Sequence, residues 1–178
     1  ASCLVGSEMC IRDRNIVDEG IDVAIRIGHL ADSGFTAIQV GSVRRVICAA
    51  PSYLEKYGVP ATPAELKHHR IVVSQSAWAS PEWRFAEGQR VLVDPVLQSN
   101  TNESAIATAR AGWGLTRVLS YQAGPSLQEG ALQIVLDAFE EPPLPIHVVY
   151  PEGRQAPAKV RAFVDLAVAR LRGNPLFN

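Results

Sequence analysis

Ser99, Asn100, Thr101, Asn102, Glu103 and Ser104 form an unbroken polar run ahead of "AIATARA", a stretch with the composition of a helix. A helix start leaves backbone N–H groups without partners and carries partial positive charge. Such a run can therefore supply a cap, or hold an anion or a polar ligand. Capping needs one residue, and Asn102 or Thr101 would suffice, so Ser99, Asn100 and Thr101 together exceed what the helix requires. An ordinary solvated loop with a good cap explains the same residues, and both readings stay open here. Arg117, a charge inside the apolar stretch "GLTRVL", could grip a ligand carboxylate through a bidentate pair, or it could snorkel to an edge.

Catalytic patterns fail. There is no G-x-S-x-G elbow, no H-E-x-x-H and no phosphate loop, and "GWGLTR" has Arg117 where a dinucleotide fingerprint needs its third glycine. His68 and His69 fall at the end of a short helix, where they help to cap carbonyls. Neither His29 nor His147 has a neighbouring pattern that makes a nucleophile–base pair. Cys3, Cys10 and Cys48 show no C-x-x-C pair and no histidine at zinc-ligand spacing. The expectation is a protein that is not an enzyme and uses no metal and no cofactor, and whose cysteines suit a reducing cytoplasm. A formal net charge of -1 gives the chain no global field for nucleic acid or anionic lipid. Apolar runs such as "IHVVY" fall far short of the ~20 residues that a membrane span requires.

The elements that must position the polar run are read from periodicity and punctuation. The 178 residues, 47% hydrophobic, suffice for a real core or two small ones. Residues 1–14 share no period with the rest of the chain and read as a non-native N-terminal segment, the alternative being a frayed native terminus. "NIVDEG" reads as the last turns of a helix, and "IDVAIRI" as a buried strand. "FTAIQVGSVRRVICAA" reads as two strands broken at Gly41. Ser52 with Glu55, and Thr62 with Glu65, have capping-box spacing, and Pro63 suits a first helical position. "EWRFA" and "QRVLV" form a hairpin around Glu87 and Gly88. "GLTRVL", "GALQIVL" and "IHVVY" are strands, and Gly124 with Pro125 breaks the short helix after "GLTRVL". The final helix places Val160, Phe163, Val164, Ala167, Val168 and Leu171 on one face, and Gly173 and Pro175 end it. Strands alternating with helices predict an α/β fold with mixed, mostly parallel sheets. In such sheets ligands sit at the carboxyl ends of strands, where the polar run lies.

With these elements in order, the stretch from "IVDEGIDVAIRIGHL" through "APSYLEKYGVPATPAELKHHRIVV" resembles the effector-binding domain of LysR-type transcriptional regulators. "EWRF", "SNTNESAIATARAGWGLTRVLSYQ" and "PPLPIHVVYPEGRQAPAKVRAFVDLAVARL" continue the resemblance in the same order, over nearly all of residues 15–172. The resemblance implies a two-lobed fold like that of periplasmic binding proteins of type 2, its first lobe incomplete at the N-terminus. Residues 15–48 and 146–172 would form that partial first lobe, 49–145 the second lobe, and 173–178 a tail, with two crossover strands as the hinge. It also implies a small-molecule effector between the lobes, a homodimer or tetramer, and DNA contact only through an N-terminal winged helix-turn-helix that this chain lacks. Effector contacts are expected from Asn100, Thr101 and Asn102 in the second lobe and from Arg26 and Gly28 in the first. Ser74, Ser76 and Arg117 are further candidates. The alternative is a free-standing periplasmic solute-binding protein for a small polar ligand, which would need a secretion signal.

Overall fold

The computed structural model describes residues 21–30, 34–74, 82–151 and 157–177. The helix expected at "NIVDEG" lies outside them. The described strands form two larger sheets and a hairpin. In the first sheet, β1 (Ala24–Ile27) and β2 (Phe35–Val43) flank β10 (Leu144–Pro151), and both pairings are antiparallel. The second sheet has the order β7 (Pro95–Ser99), β4 (Ile71–Ser74), β8 (Leu115–Leu119), β3 (Arg45–Ala49) and β9 (Gln133–Val135). Only the pairings of β4 with β7 and with β8 are parallel, while β3 runs antiparallel to both of its neighbours. The sheets are mixed as the sequence predicts, but the parallel share is smaller. The reason is that β3 and β10, the strands that carry the chain from one sheet to the other, each enter between or beside strands running the opposite way.

Three clusters of buried side chains hold these layers. One face of the second sheet, through Ile47, Ile71 and Leu115, packs on helix α1 (Pro51–Tyr57), on a 3-10 turn over Pro63–His68, and on the hairpin of β5 (Glu82–Arg84) and β6 (Arg90–Leu92). The hairpin turns at Glu87 and Gly88 as expected. The opposite face, through Val46, Cys48 and Val118, packs on α2 (Asn102–Arg110) and α3 (Ser120–Gln128). The first sheet buries Val40, Ile146 and Val148 under α4 (Ala158–Arg172), which contributes Val160 and Val164. Phe163, predicted on that face, is instead 55% exposed, because three residues beyond Val160 its side chain swings to the flank of the helix.

Four local expectations change. Pro51 opens α1 with Ala50 as its N-cap, so Ser52 is already helical and no Ser52–Glu55 capping box forms. At Thr62 the turn is 3-10, and Glu65 does reach back, accepting from the Ala61 N–H at 3.0 Å and from the Thr62 hydroxyl at 3.1 Å. Strand β2 continues through Gly41, where its register on β10 shifts by one residue, and ends at Val43. Helix α3 likewise runs through Gly124 and Pro125. The missing Pro125 N–H weakens one turn of that helix without ending it, because α3 is held against the sheet through Ala123 and Leu127.

Two ion pairs mark the places where the chain passes between sheets. Arg44, between β2 and β3, pairs with Glu140 at 2.9 Å, and Arg45 pairs with Glu141 at 2.8 Å on the returning segment ahead of β10. Burial raises the Glu140 carboxyl above the ordinary carboxylate range, an effect that the Arg44 charge only partly offsets.

Candidate functional site

The polar run sits where β7 ends and α2 begins, beside the end of β4, so its position is fixed by the two parallel pairings of the second sheet. Thr101 is the N-cap of α2. Its hydroxyl oxygen accepts the Ser104 N–H at 3.1 Å, while its carbonyl accepts from Ala105 and, at 2.8 Å, from the Ser99 hydroxyl. The bond to Ser104 satisfies one of the donors that a helix start leaves over, and the bond from Ala105 is the first of the regular helix ladder. Asn102 has a different task. It is the first helical residue, and its side-chain oxygen accepts a hydrogen bond from the hydroxyl of Ser74, which is buried at the end of β4. Asn100 is exposed, and among the described residues its side chain makes no hydrogen bond. Of the three residues singled out from the sequence, two are occupied in holding the loop and one is available.

Ser74 therefore joins Asn102 in one cluster. Ser76 lies outside the described residues. Arg117 is placed elsewhere. Side chains alternate along β8, and Val118 faces α2 while Arg117 faces the hairpin on the opposite side of the sheet. There its guanidinium donates to the Glu141 carboxylate at 2.9 Å and to the Arg84 carbonyl at 2.9 Å, and lies over the Trp83 and Phe85 rings. Burial pulls its pKa down, with the Glu141 charge opposing that effect. Because the same Glu141 oxygen also accepts from Arg45, Arg117 belongs to the brace at the crossover and is separated from the polar run by the sheet.

Arg26 and Gly28 lie in and just after β1 of the first sheet. Gly28 has φ +118, a conformation that L side chains rarely adopt, and its N–H is committed to the Pro145 carbonyl at 2.9 Å. That backbone demand accounts for the glycine. Arg26 stands opposite His147 of β10, which on its other side pairs with Gln39 of β2. Among the described residues the His147 Nδ1 is buried with no hydrogen-bond partner, and burial, followed by the nearby His29, lowers its pKa. Sequence reasoning passes over His147, because a lone histidine in an apolar strand carries no pattern. Only the register shows it beside Arg26. His69 ends the 3-10 turn through its backbone N–H, which donates to the Leu66 carbonyl, while its side chain, expected to cap carbonyls, instead packs on Tyr53 with Nδ1 3.3 Å from the phenol oxygen. Among the described residues no group of His, Cys, Asp or Glu could hold a metal ion, and no helix is long and apolar enough to cross a membrane.

Comparison with known proteins bears on this arrangement. The family model described as the LysR substrate binding domain matches residues 11–172. An uncharacterized HTH-type transcriptional regulator of Haemophilus influenzae is 32% identical over 149 residues, covering 82% of this chain and 52% of the relative. The HTH-type transcriptional activator AaeR of Escherichia coli is 30% identical over 155 residues, covering 85% of this chain and 50% of the relative. The chain thus spans about half the length of the curated relatives it matches. Among solved structures, CrgA of Neisseria meningitidis, a LysR-type transcriptional regulator, superimposes with a TM-score of 0.76 at 26% identity, over 90% of this chain and 55% of that one. The regulatory domain of CrgA alone gives 0.74 at 25% identity, over 87% of this chain and 78% of that one.

Proposed function

This chain belongs to the LysR substrate-binding domain family, and from that membership we propose that it is the effector-sensing and oligomerising part of a cytoplasmic transcriptional regulator. A small polar molecule binds between two lobes, one built on the sheet of β1, β2 and β10 and the other on the sheet of β3, β4, β7, β8 and β9. Binding shifts the population of lobe or dimer arrangements, and with it the spacing of DNA-binding helix-turn-helix domains carried in the same polypeptide. The chain acts by binding and performs no catalysis, in keeping with relatives that are named as transcriptional regulators. The observation that carries this reading is the family match itself, which runs through both sheets and both crossovers. A free-standing solute-binding protein is not favoured, since the named relatives are HTH-type regulators.

Within the site we assign effector contact to Asn100 and to the start of α2. Thr101 and Asn102 hold that surface in shape, with Ser74 behind them, and Arg26 faces it from the other lobe. Effector-dependent transcription from the full-length regulator tests the assignment. Asn100→Ala removes one hydrogen bond to the effector, worth about 0.5 to 1.5 kcal/mol for a neutral group, and moves the half-maximal effector concentration several-fold upward. A response whose midpoint stays at the wild-type value would remove Asn100 from the site.

A further inference from the structure

The residues after α4, expected to be a plain tail, fold into a 3-10 turn over Pro175–Phe177 that touches both sheet layers. The turn is internally fixed. The Asn174 side-chain oxygen accepts the Leu176 N–H at 3.0 Å, its carbonyl accepts the Phe177 N–H at 3.1 Å, and its own N–H reaches the Leu171 carbonyl at 3.1 Å. On one side, Phe177 lies directly on β2 at Gly41. A Cβ at that glycine would stand 2.4 Å from the Phe177 carbonyl oxygen and 2.9 Å from its Cβ, so only glycine admits the contact. On the other side, Leu176 presses on α3 at Gly124, where an added Cβ would stand 2.9 Å from the leucine Cδ2. The Phe177 ring also meets Tyr121 of α3 edge-on, with centroids 5.6 Å apart. Strand β2 belongs to the first sheet, while α3 packs on the second.

We propose that Asn174–Phe177 is a strap that fixes the relative orientation of the two sheets, and that it must lift or re-seat when that orientation changes. Two glycines from different layers, each leaving space for the same short turn, are the juxtaposition that carries this. A tail lying on one layer would need only one of them. The crossovers at Arg44 and Glu140 join the layers covalently, Leu119 and Tyr121 of the second layer pack into the buried cluster of the first sheet, and the turn adds a further connection away from the crossover strands. The part that this lifting plays in switching rests on the effector-sensing reading. The strap itself does not.

The test measures the angle without any effector, so its failure leaves the effector reading untouched. Spin labels are placed on cysteines introduced at Arg161 of α4 and Gln128 of α3, both exposed, in a chain with Cys3 and Cys10 changed to serine. Double electron–electron resonance then gives the distance distribution between the layers. The unaltered strap gives one narrow distribution. Gly41→Ala, which drives the Phe177 backbone off β2, and the double substitution Leu176→Ala with Phe177→Ala each shift or roughly double the width of that distribution, with the far-ultraviolet circular dichroism unchanged. Gly124→Ala has a smaller effect, since it meets only the end of a flexible side chain. Should Gly41→Ala fail to fold, the double substitution decides alone, because its sites lie in the terminal turn outside both sheets. A narrow distribution at the wild-type distance in that folded double variant would overturn the proposal.

Discussion

Replacing Asn100, Thr101 and Asn102 one at a time by alanine separates the two tasks that the structure gives to this run. Thr101→Ala removes the acceptor of the Ser104 N–H, the ordinary N-cap loss of about 0.5 to 2 kcal/mol. Asn102→Ala removes the acceptor of the Ser74 hydroxyl, a bond shielded from water because Ser74 is 8% exposed, and costs about 0.5 to 1.5 kcal/mol. Asn100→Ala removes no bond within the described protein from an exposed position, and changes stability by less than about 0.5 kcal/mol. For a domain of this size 1 kcal/mol moves the melting temperature by roughly 2 to 4 °C, so thermal unfolding followed by circular dichroism resolves the difference. The expected result is a clear drop for Thr101→Ala and Asn102→Ala and none for Asn100→Ala. An equal drop at Asn100, or none at Thr101, would refute the division into a structural pair and a free side chain.

Two further outcomes are set by burial. Because Glu140 is raised above its ordinary value of 4.5, its contribution to stability is present below that value and is lost as pH climbs through the folded-state pKa. Glu140→Gln therefore melts higher than the parent at pH 7, and the gap closes by about pH 4; melts at the two pH values that show the parent ahead at neutral pH would contradict this. Burial pushes the Cys48 thiol up to about 12, so it stays protonated and resists iodoacetamide in the folded chain while alkylating readily in urea. Peptide mapping by mass spectrometry reads Cys48 separately from Cys3 and Cys10, and rapid labelling of the folded protein would show the site to be open.

What the sequence reveals and what it hides divide along a physical line. The helix start at the polar run is legible because capping chemistry is local, and the period of α4 is legible because it repeats. The choice between Thr101 and Asn102 as cap depends on which side chain is drawn away by Ser74, a partner 28 positions back in the chain, and no local pattern carries that. Arg117 is placed by strand parity. Only the pairing of β8 between β3 and β4 shows that its face of the sheet is turned from α2. Gly41 and Gly124 mislead in the same way, since a glycine read as punctuation can equally mark where another part of the chain comes close. Both are contacts of the last residues of the fold, and neither breaks its element.

The first sheet has a temporal consequence. Its central strand, β10, pairs Arg26 with His147 on one edge and Ile38 with Val148 on the other, so both halves of its hydrogen-bond ladder join residues from opposite ends of the chain. The second sheet draws all its strands from Arg45–Val135, so its last strand is made before β10. During synthesis the second sheet can assemble while β1 and β2 still wait, their edges unpaired with β10, for a partner not yet translated. Through that interval the nascent chain exposes strand edges that invite pairing with a neighbouring copy. The expected consequence is that aggregation during expression starts from the edges of β1 and β2, and that slower translation before β10 increases it, which expression with and without a pause ahead of β10 would measure.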